Sequence, residues 1–452
     1  MPENTEQLEA MDWQNHQQQM MHLSDRILEM VQQQGATSAK LSISHSQGVA
    51  VEVRQQQVDS LEFNRDKGLS LTVYKGQQKG TASTTDFSDQ GLKQAISAAL
   101  SIAEFTQPDV YSGLPEPELY ANNFKELELY YPWKTSVSDL VKLATAIESA
   151  GVNTDSKISN SEGGSVNTHE SVSLIATSNG FCGFKKGTSH SASCVLIAED
   201  SDGLQRDYYY SSSRNPQNLL SANTIGSEAA TRTVAKLGAK PAKQGKFPVI
   251  FSAEMARGIM GHFLSGISGS QLYRKSSFLL DSLGEKIFPD WFWLQEQPHL
   301  LSGLASTNFD AEGVATKQKY LLQDGVVGSY LLSCYSARKL EMNSTANAGG
   351  AFNLNCSYQD ISQADLISGI KDGLLVTELM GQGVNLVTGD YSRGAGGFWI
   401  KDGKITHPVK EITIAGNLKQ MFASIEAVAN DLDRRSSLVI GSMLIKEMTI
   451  AI

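Results

Sequence analysis

The chain has 452 residues, with 38 basic against 48 acidic side chains and a formal net charge of −10. A surplus of that sign gives no global reason to bind nucleic acid. A composition of 40% hydrophobic residues with 39 glycines and 11 prolines excludes a collagen, a coiled coil and a wholly disordered chain.

The first 22 residues are acidic and Gln-rich, with neither the basic nor the apolar region of a signal peptide. They are expected to form a disordered tail over 1–22. The spacing predicts a helix from about Leu23, with Leu23, Ile27, Met30 and Val31 on one face and Gly35 ending it. Short alternating runs follow at Leu41/Ile43, Val49/Val51/Val53 and Leu69/Leu71/Val73. With turns at Gln47-Gly48 and between Gly76 and Gly80, they read as an antiparallel meander with one buried face. Ser88 caps a predicted helix carrying Leu92, Ala95, Ile96, Ala99, Leu100 and Ala103 at helical spacing. A Pro-rich connection leads to another helix near 138–150.

Strand patterns return over 155–215, with hairpin signals at Asn179-Gly180 and Asp202-Gly203. A helix near 221–237 ends at Gly238, and the breaker-rich Pro241–Gly245 segment marks a domain boundary. Beyond it lie an apolar strand over Pro248–Phe251, a helix over 253–264 and a glycine-punctuated, strand-rich remainder. A helix over 417–432 with Asn417 as its cap is also expected. Strands and helices come in blocks, so the expected class is α+β with two domains. These are an N-terminal antiparallel sheet with helices over 23–240 and a C-terminal strand-rich, barrel-like domain over 246–452.

No run of about 18 apolar residues exists, so no membrane-spanning helix is expected. Four scattered cysteines (Cys182, Cys194, Cys334 and Cys356) lack any CxxC pair, which suits free thiols in a reducing cytoplasm. No P-loop and no GxSxG elbow occurs, and Arg393-Gly394-Ala395-Gly396-Gly397 reads as a tight turn between strands. Among eight histidines there is no HxH, HxxH or HExxH pair. His169-Glu170 sits in a strand-like run whose alternate side chains face opposite ways, a poor arrangement for chelation. His262 lies on the helix that opens the second domain, where a lone histidine reads as a structural, hydrogen-bonded residue. The Trp291-Phe292-Trp293 cluster fits either a core or a partner-facing anchor.

Several segments, taken together and in order, point further. They include Glu62-Phe63-Asn64-Arg65-Asp66-Lys67-Gly68, Asn160-Ser161-Glu162-Gly163-Gly164 and Tyr273-Arg274-Lys275-Ser276-Ser277-Phe278. Others are Leu279-Leu280-Asp281-Ser282-Leu283-Gly284, Glu378-Leu379-Met380-Gly381-Gln382-Gly383 and Thr388-Gly389-Asp390-Tyr391-Ser392-Arg393-Gly394. Over about 25–452 the chain resembles the TldD/PmbA family of bacterial metallopeptidases, on its PmbA, or TldE, side.

The resemblance implies a cytoplasmic system that degrades short or unfolded peptides and trims leader peptides. In it a TldD-like subunit holds zinc through an HExxxH helix and a distant cysteine, and the PmbA-type chain is its partner. Carried over by position, the first histidine falls on Arg257, the glutamate on Gly258 and the second histidine on His262, and no cysteine occurs in Ser436–Ile452. An arginine stays cationic and glycine offers no base. No catalytic residue and no metal ligand set is therefore expected in this chain, the zinc being the partner's.

The expected role is to shape the peptide channel for the TldD-like subunit, with unfolded or leader peptides as further partners and self-association when that subunit is absent. Neither nucleic acid nor a membrane is an expected partner. Peptide-contacting residues are left unassigned. Two other readings stay open: an autonomous metallopeptidase with an unrecognised site, and a non-enzymatic, peptide-binding regulatory protein.

Overall fold

The computed structural model describes residues 7–201 and 203–452. Helix α1 (Trp13–Gln33) leads into strands β1 (Ser38–Arg54), β2 (Gln57–Lys75) and β3 (Gln78–Thr84). Then come α2 (Asp89–Phe105), α3 (Val137–Val152), β4 (Ile158–Thr177), β5 (Cys182–Asp200), β6 (Gly203–Ser213) and α4 (Ala222–Ala235). The six strands make one antiparallel sheet in the order β3-β2-β1-β4-β5-β6. Its strands are so long that two separate helix pairs cover one face. Helices α1 and α2 bury Leu41, Ile43, Leu69, Leu71, Val73, Val172 and Leu174. Helices α3 and α4 bury Val49, Val51, Val53, Val166, Ala192 and Leu196. Each buried Leu, Ile or Val contributes about 1.5–3 kcal/mol.

The second part opens with β7 (Gly245–Phe251), α5 (Ala253–Gly266) and α6 (Gly269–Tyr273). Next come β8 (Leu294–Glu296), β9 (Lys319–Gln323), β10 (Val326–Val327), α7 (Cys334–Lys339), β11 (Leu354–Cys356) and α8 (Gln363–Ser368). The chain continues through β12 (Asp372–Met380), β13 (Asp390–Lys401), β14 (Lys404–Asn417), α9 (Leu418–Ala423), β15 (Ile425–Val428), β16 (Leu438–Val439) and β17 (Met443–Ala451). Strand β7 lies parallel to β12 and antiparallel to β17, and β14 pairs with both β13 and β17. The strands β14-β13-β12-β7-β17 thus close on themselves, and the α+β class with a barrel-like second part is what the chain adopts. A small sheet, β10-β9-β8-β11-β16, packs beside it. Phe292 is buried in the core and stacks on Phe288 at 4.8 Å, while Trp291 and Trp293 stay half-buried.

Several expectations are corrected. The tail expected over 1–22 does not extend through its second half: α1 starts at Trp13, capped by Asp12, whose side chain accepts from the Asn15 amide. Met11 and Met20 bury against the sheet, and Lys186 Nζ stands 3.8 Å from the centre of the Trp13 ring. Residues 1–6 of that tail lie outside the described residues.

The expected turn at Gln47-Gly48 is the middle of β1, where a Cβ on Gly48 would stand 2.7 Å from the Thr168 carbonyl oxygen. The expected helix over 417–432 keeps its cap, Asn417, but stops at Ala423. Ile425 and Val428 instead pair with Ile445 and Met443 of β17, tertiary pairing overriding helical spacing. The Arg393–Gly397 run is no turn: it lies inside β13, and Gly397 admits the Leu375 carbonyl at a bulge, 1.9 Å from where a Cβ would sit.

The predicted cap of α2 holds, with Ser88 Oγ accepting from the Gly91 amide. This helix lies directly on β3. A Cβ on Gly80 would stand 2.0 Å from the Ala99 carbonyl and 2.6 Å from the Ala103 amide. Gly80→Ala is therefore expected to cost about 2–3 kcal/mol by overpacking. A chemical-denaturation curve unchanged by the substitution would show that α2 can lift off the sheet freely.

Candidate functional site

Helix α5 carries all three residues singled out by position, Arg257, Gly258 and His262. It forms because Ala256, Ile259, Met260 and Phe263 recur at helical spacing and bury completely against the barrel. The opposite face holds Glu254, Arg257, Gly258, Gly261, His262 and Ser265, and none of these is fully exposed. At 100° per residue the two glycines occupy the middle of that face, with Arg257 on one flank and His262 on the other. A Cβ on Gly258 or Gly261 would meet nothing within 4 Å. The face is a shallow open groove with a glycine floor.

On the first flank Arg257 Nη2 lies 3.0 Å from Asp433 Oδ2 and 3.4 Å from the Tyr210 hydroxyl. Asp433 also takes Arg435, Nε to Oδ1, at 2.9 Å. Arg435 in turn pairs with Glu254, which accepts a two-pronged contact from Arg232 at 2.9 Å on each oxygen. Asp207 accepts from Lys236 at 3.1 Å, with Arg232 nearby at 3.9 Å. Lys236 reaches on to Glu378 at 2.9 Å. The Arg435 guanidinium lies 4.8 Å from the Tyr209 ring centre and 4.6 Å from that of Tyr210.

One alternating charge network thus ties α5 and the 431–436 loop to α4 and β6 of the N-terminal part. Burial alone would raise the Glu254 carboxyl. The hydrogen bonds and charges of Arg232 and Arg435 outweigh it and bring the group down to about 2.

The other flank is under-satisfied. The His262 ring meets Tyr391 edge-on at 5.9 Å, Nε2 of His262 and Nε of Arg393 are buried with no hydrogen-bond partner, and the Tyr391 hydroxyl lies against the Arg393 side chain. Tyr391 and Arg393 alternate on β13 and share one face of the barrel wall. Burial, then the charge of Arg393, holds the His262 imidazole below its ordinary value. Burial pushes the Tyr391 phenol up to about 12, against the lowering effect of the Arg393 charge and hydrogen bond.

Sequence reading brought Arg257, Gly258 and His262 together but missed Glu254, Asp433, Arg435, Tyr391 and Arg393. A signal for two of these exists: Tyr391 and Arg393 share strand parity with the buried Ala395, which points an arginine at the core. His169 is exposed on β4 while Thr168 and Glu170 are buried, in keeping with the expected alternation.

Residues 244–452 match the PmbA/TldA metallopeptidase C-terminal domain, residues 130–237 its central domain and residues 39–103 its domain 1. The chain is 44% identical over 413 residues to Metalloprotease PmbA of Escherichia coli O157:H7, covering 91% of this chain and 92% of that one. It belongs to the PmbA/TldD metallopeptidase family.

Among solved structures, a Bacteroides thetaiotaomicron protein described as a candidate modulator of DNA gyrase superposes with a TM-score of 0.90 at 28% identity. It covers 95% of this chain and 98% of that one. TldE from Thermococcus kodakarensis shares the fold with a TM-score of 0.83 at 20% identity, over 95% and 100% of the two chains.

The family name implies a metal. Zinc sites generally use about three protein ligands. Helix α5 offers one imidazole, a cation already paired with Asp433, and a glycine, so these residues do not fit the ion. The helix is also regular, which sets positions 257 and 262 about 140° apart. Among the described residues no group of three or more His, Cys, Asp or Glu side chains is placed to hold a metal, and no helix is long and apolar enough to cross a membrane.

Proposed function

We propose that this chain is the PmbA/TldE-type subunit of a two-chain zinc peptidase, holding no zinc itself and lining the peptide path for a TldD-like catalytic partner. The observation that carries the reading is Arg257. At the position of the first histidine stands a guanidinium locked to Asp433, while the neighbouring glycines leave room for an extended backbone. A glycine-floored groove favours main-chain contact over side-chain selection, which suits short or unfolded peptides and leader segments of varied sequence. Free, scattered thiols support a cytoplasmic setting.

The purified chain is expected to carry near-zero zinc by elemental mass spectrometry and to leave an unstructured fluorogenic peptide intact. Hydrolysis is expected to appear on adding a TldD-like chain and to vanish with a chelator. Stoichiometric zinc with chelator-sensitive cleavage by the isolated chain would replace this reading with that of an autonomous metallopeptidase. Tight peptide binding without cleavage, even with the partner present, would leave a binding protein.

A further inference from the structure

We propose that a cavity of about 260 Å³ at the outer edge of β5 binds a small phosphate monoester carried on a flat ring. The cavity shares no residue with the α5 groove, so the inference goes beyond the peptide-path reading and does not depend on it. Its position follows from the sheet. Strand β6 pairs only with His190–Asp200 of β5, so the stretch before His190 has no neighbouring strand on that side. Phe184 and Lys186 lie opposite the core residues Leu174 and Val172, whereas Lys185 lies opposite Ser173 and points to the other face. All three line the cavity, which therefore wraps round the free edge of the strand. Trp13, the 124–129 connection and the 306–309 loop of the second part line the rest of it.

The charges in this space select the ligand. Lys185 Nζ donates to the Phe309 carbonyl at 2.8 Å and stands 4.2 Å from the centre of that ring. Lys186 Nζ stands over Trp13, and Lys125 Nζ lies 3.0 Å from His299 Nδ1. A carbonyl, two rings and an imidazole bring no negative charge, and none of the three ammoniums makes an ion pair among the described residues. The Asp310 carboxyl acts on Lys185 from further off, and accepts instead from the amides of Glu312, Val314 and Ala348. Burial, against the opposing charge of Asp310, brings the Lys185 ammonium down to about 8, as suits a buried charge without a counter-ion.

Glu126 is the single carboxylate in the lining among the described residues. Three lysines against one glutamate leave two positive charges unmatched. A phosphate monoester carries about −1.5 to −2 at pH 7, with oxygens on several sides to accept from ammoniums. A carboxylate would leave one lysine unmatched. Two aromatic pairs supply the walls for a ring: Trp13 with Phe184 at 6.5 Å between centres, and Phe124 edge-on to Phe309 at 5.7 Å. Phe124 is 50% exposed and free to stack on an incoming ring. The volume falls just below the roughly 300–1,000 Å³ of drug-sized sites, which limits the ligand to one ring and its phosphate.

The test is isothermal titration calorimetry of the purified full chain with phenyl phosphate, inorganic phosphate and benzoate. Phenyl phosphate is expected to bind saturably, about tenfold or more tighter than either of the others, and to weaken as salt is raised. Lys186→Met is expected to cost about tenfold or more of that affinity. Lys142→Met, an equal charge change at the exposed Lys142–Asp139 pair, is expected to leave it unchanged. The three-ligand comparison on the wild-type chain stands even if a variant misfolds. Inorganic phosphate binding as tightly as phenyl phosphate would take the ring out of the site and overturn the proposal. Benzoate binding as tightly would remove the need for the second charge and overturn it as well. So would the absence of saturable binding, or an affinity that survives Lys186→Met in a folded variant. Each of these results leaves the peptide path standing, since reconstituted hydrolysis tests that separately.

Discussion

Replacing Glu254 with alanine is expected to lower folding stability by about 3–5 kcal/mol, the range for removing one member of a buried charge cluster. The loss is large because two arginines depend on this carboxylate. Arg232 grips it with both terminal nitrogens, and Arg435 takes the same group from the 431–436 loop. Without it, guanidiniums about one-fifth exposed face each other with Asp207 and Asp433 as their remaining counter-charges. The exposed Lys142–Asp139 pair is the internal control, and breaking it is expected to change stability by less than about 0.5 kcal/mol.

The same carboxyl sets a pH dependence. Its value falls from 4.5 to about 2 on folding, so its contribution is fully present above about pH 4.5 and is lost as pH drops through about 2. That shift corresponds to a contribution on the order of 3 kcal/mol. Urea unfolding of wild type and Glu254→Ala between pH 7 and pH 3 checks both statements. A loss below 1 kcal/mol at pH 7, or a gap between the two proteins that widens on acidification, would remove the network from the account of how the two parts are joined.

Gly258→Leu is expected to separate stability from function in opposite directions. The site sits mid-helix with nothing within 4 Å of the new Cβ, so the fold is expected to gain about 0.5–1 kcal/mol from helix propensity. The isobutyl group would occupy the groove between Arg257 and His262, where a peptide backbone is proposed to lie. Peptide cleavage by the chain reconstituted with a TldD-like subunit is expected to fall at least tenfold, with Gly258→Ala intermediate. Thermal melting and hydrolysis measured on one preparation give the answer. An unchanged rate together with a raised melting temperature would mean that peptides do not cross this face of α5.

Much of the fold was legible in the sequence where local chemistry and burial agree. Ser88 with the Leu92–Ala103 spacing gave α2 and its cap, and Asn179-Gly180 gave the hairpin between β4 and β5. Legibility failed where a distant partner decides the outcome. The 425–428 stretch has helical spacing but becomes a strand because β17 is beside it. The 393–397 glycines look like a turn but admit the Leu375 carbonyl from β12.

The site divides the same way. Arg257, Gly258 and His262 share one helix and could be read together. Asp207 with Arg232, and Asp433 with Arg257, are brought together from remote segments, and their pairing is a property of the folded chain alone. Trp13 was assigned to the tail because its burial depends on Phe184 and Lys186, far along the sequence.

The register of β1 against β4 carries a consequence for synthesis. Strand β1 pairs with β2 almost at once, but its other edge, from Lys40 to Val53, waits for residues 164–177, more than a hundred positions later. At a ribosomal pace of about 5–20 residues per second, that edge stays open for roughly 5–25 s. Throughout that interval a long hairpin with alternating valines and leucines presents an unpaired edge to any passing chain. Slower translation between β3 and β4 is therefore expected to lengthen the time this edge stays open, and faster translation to shorten it.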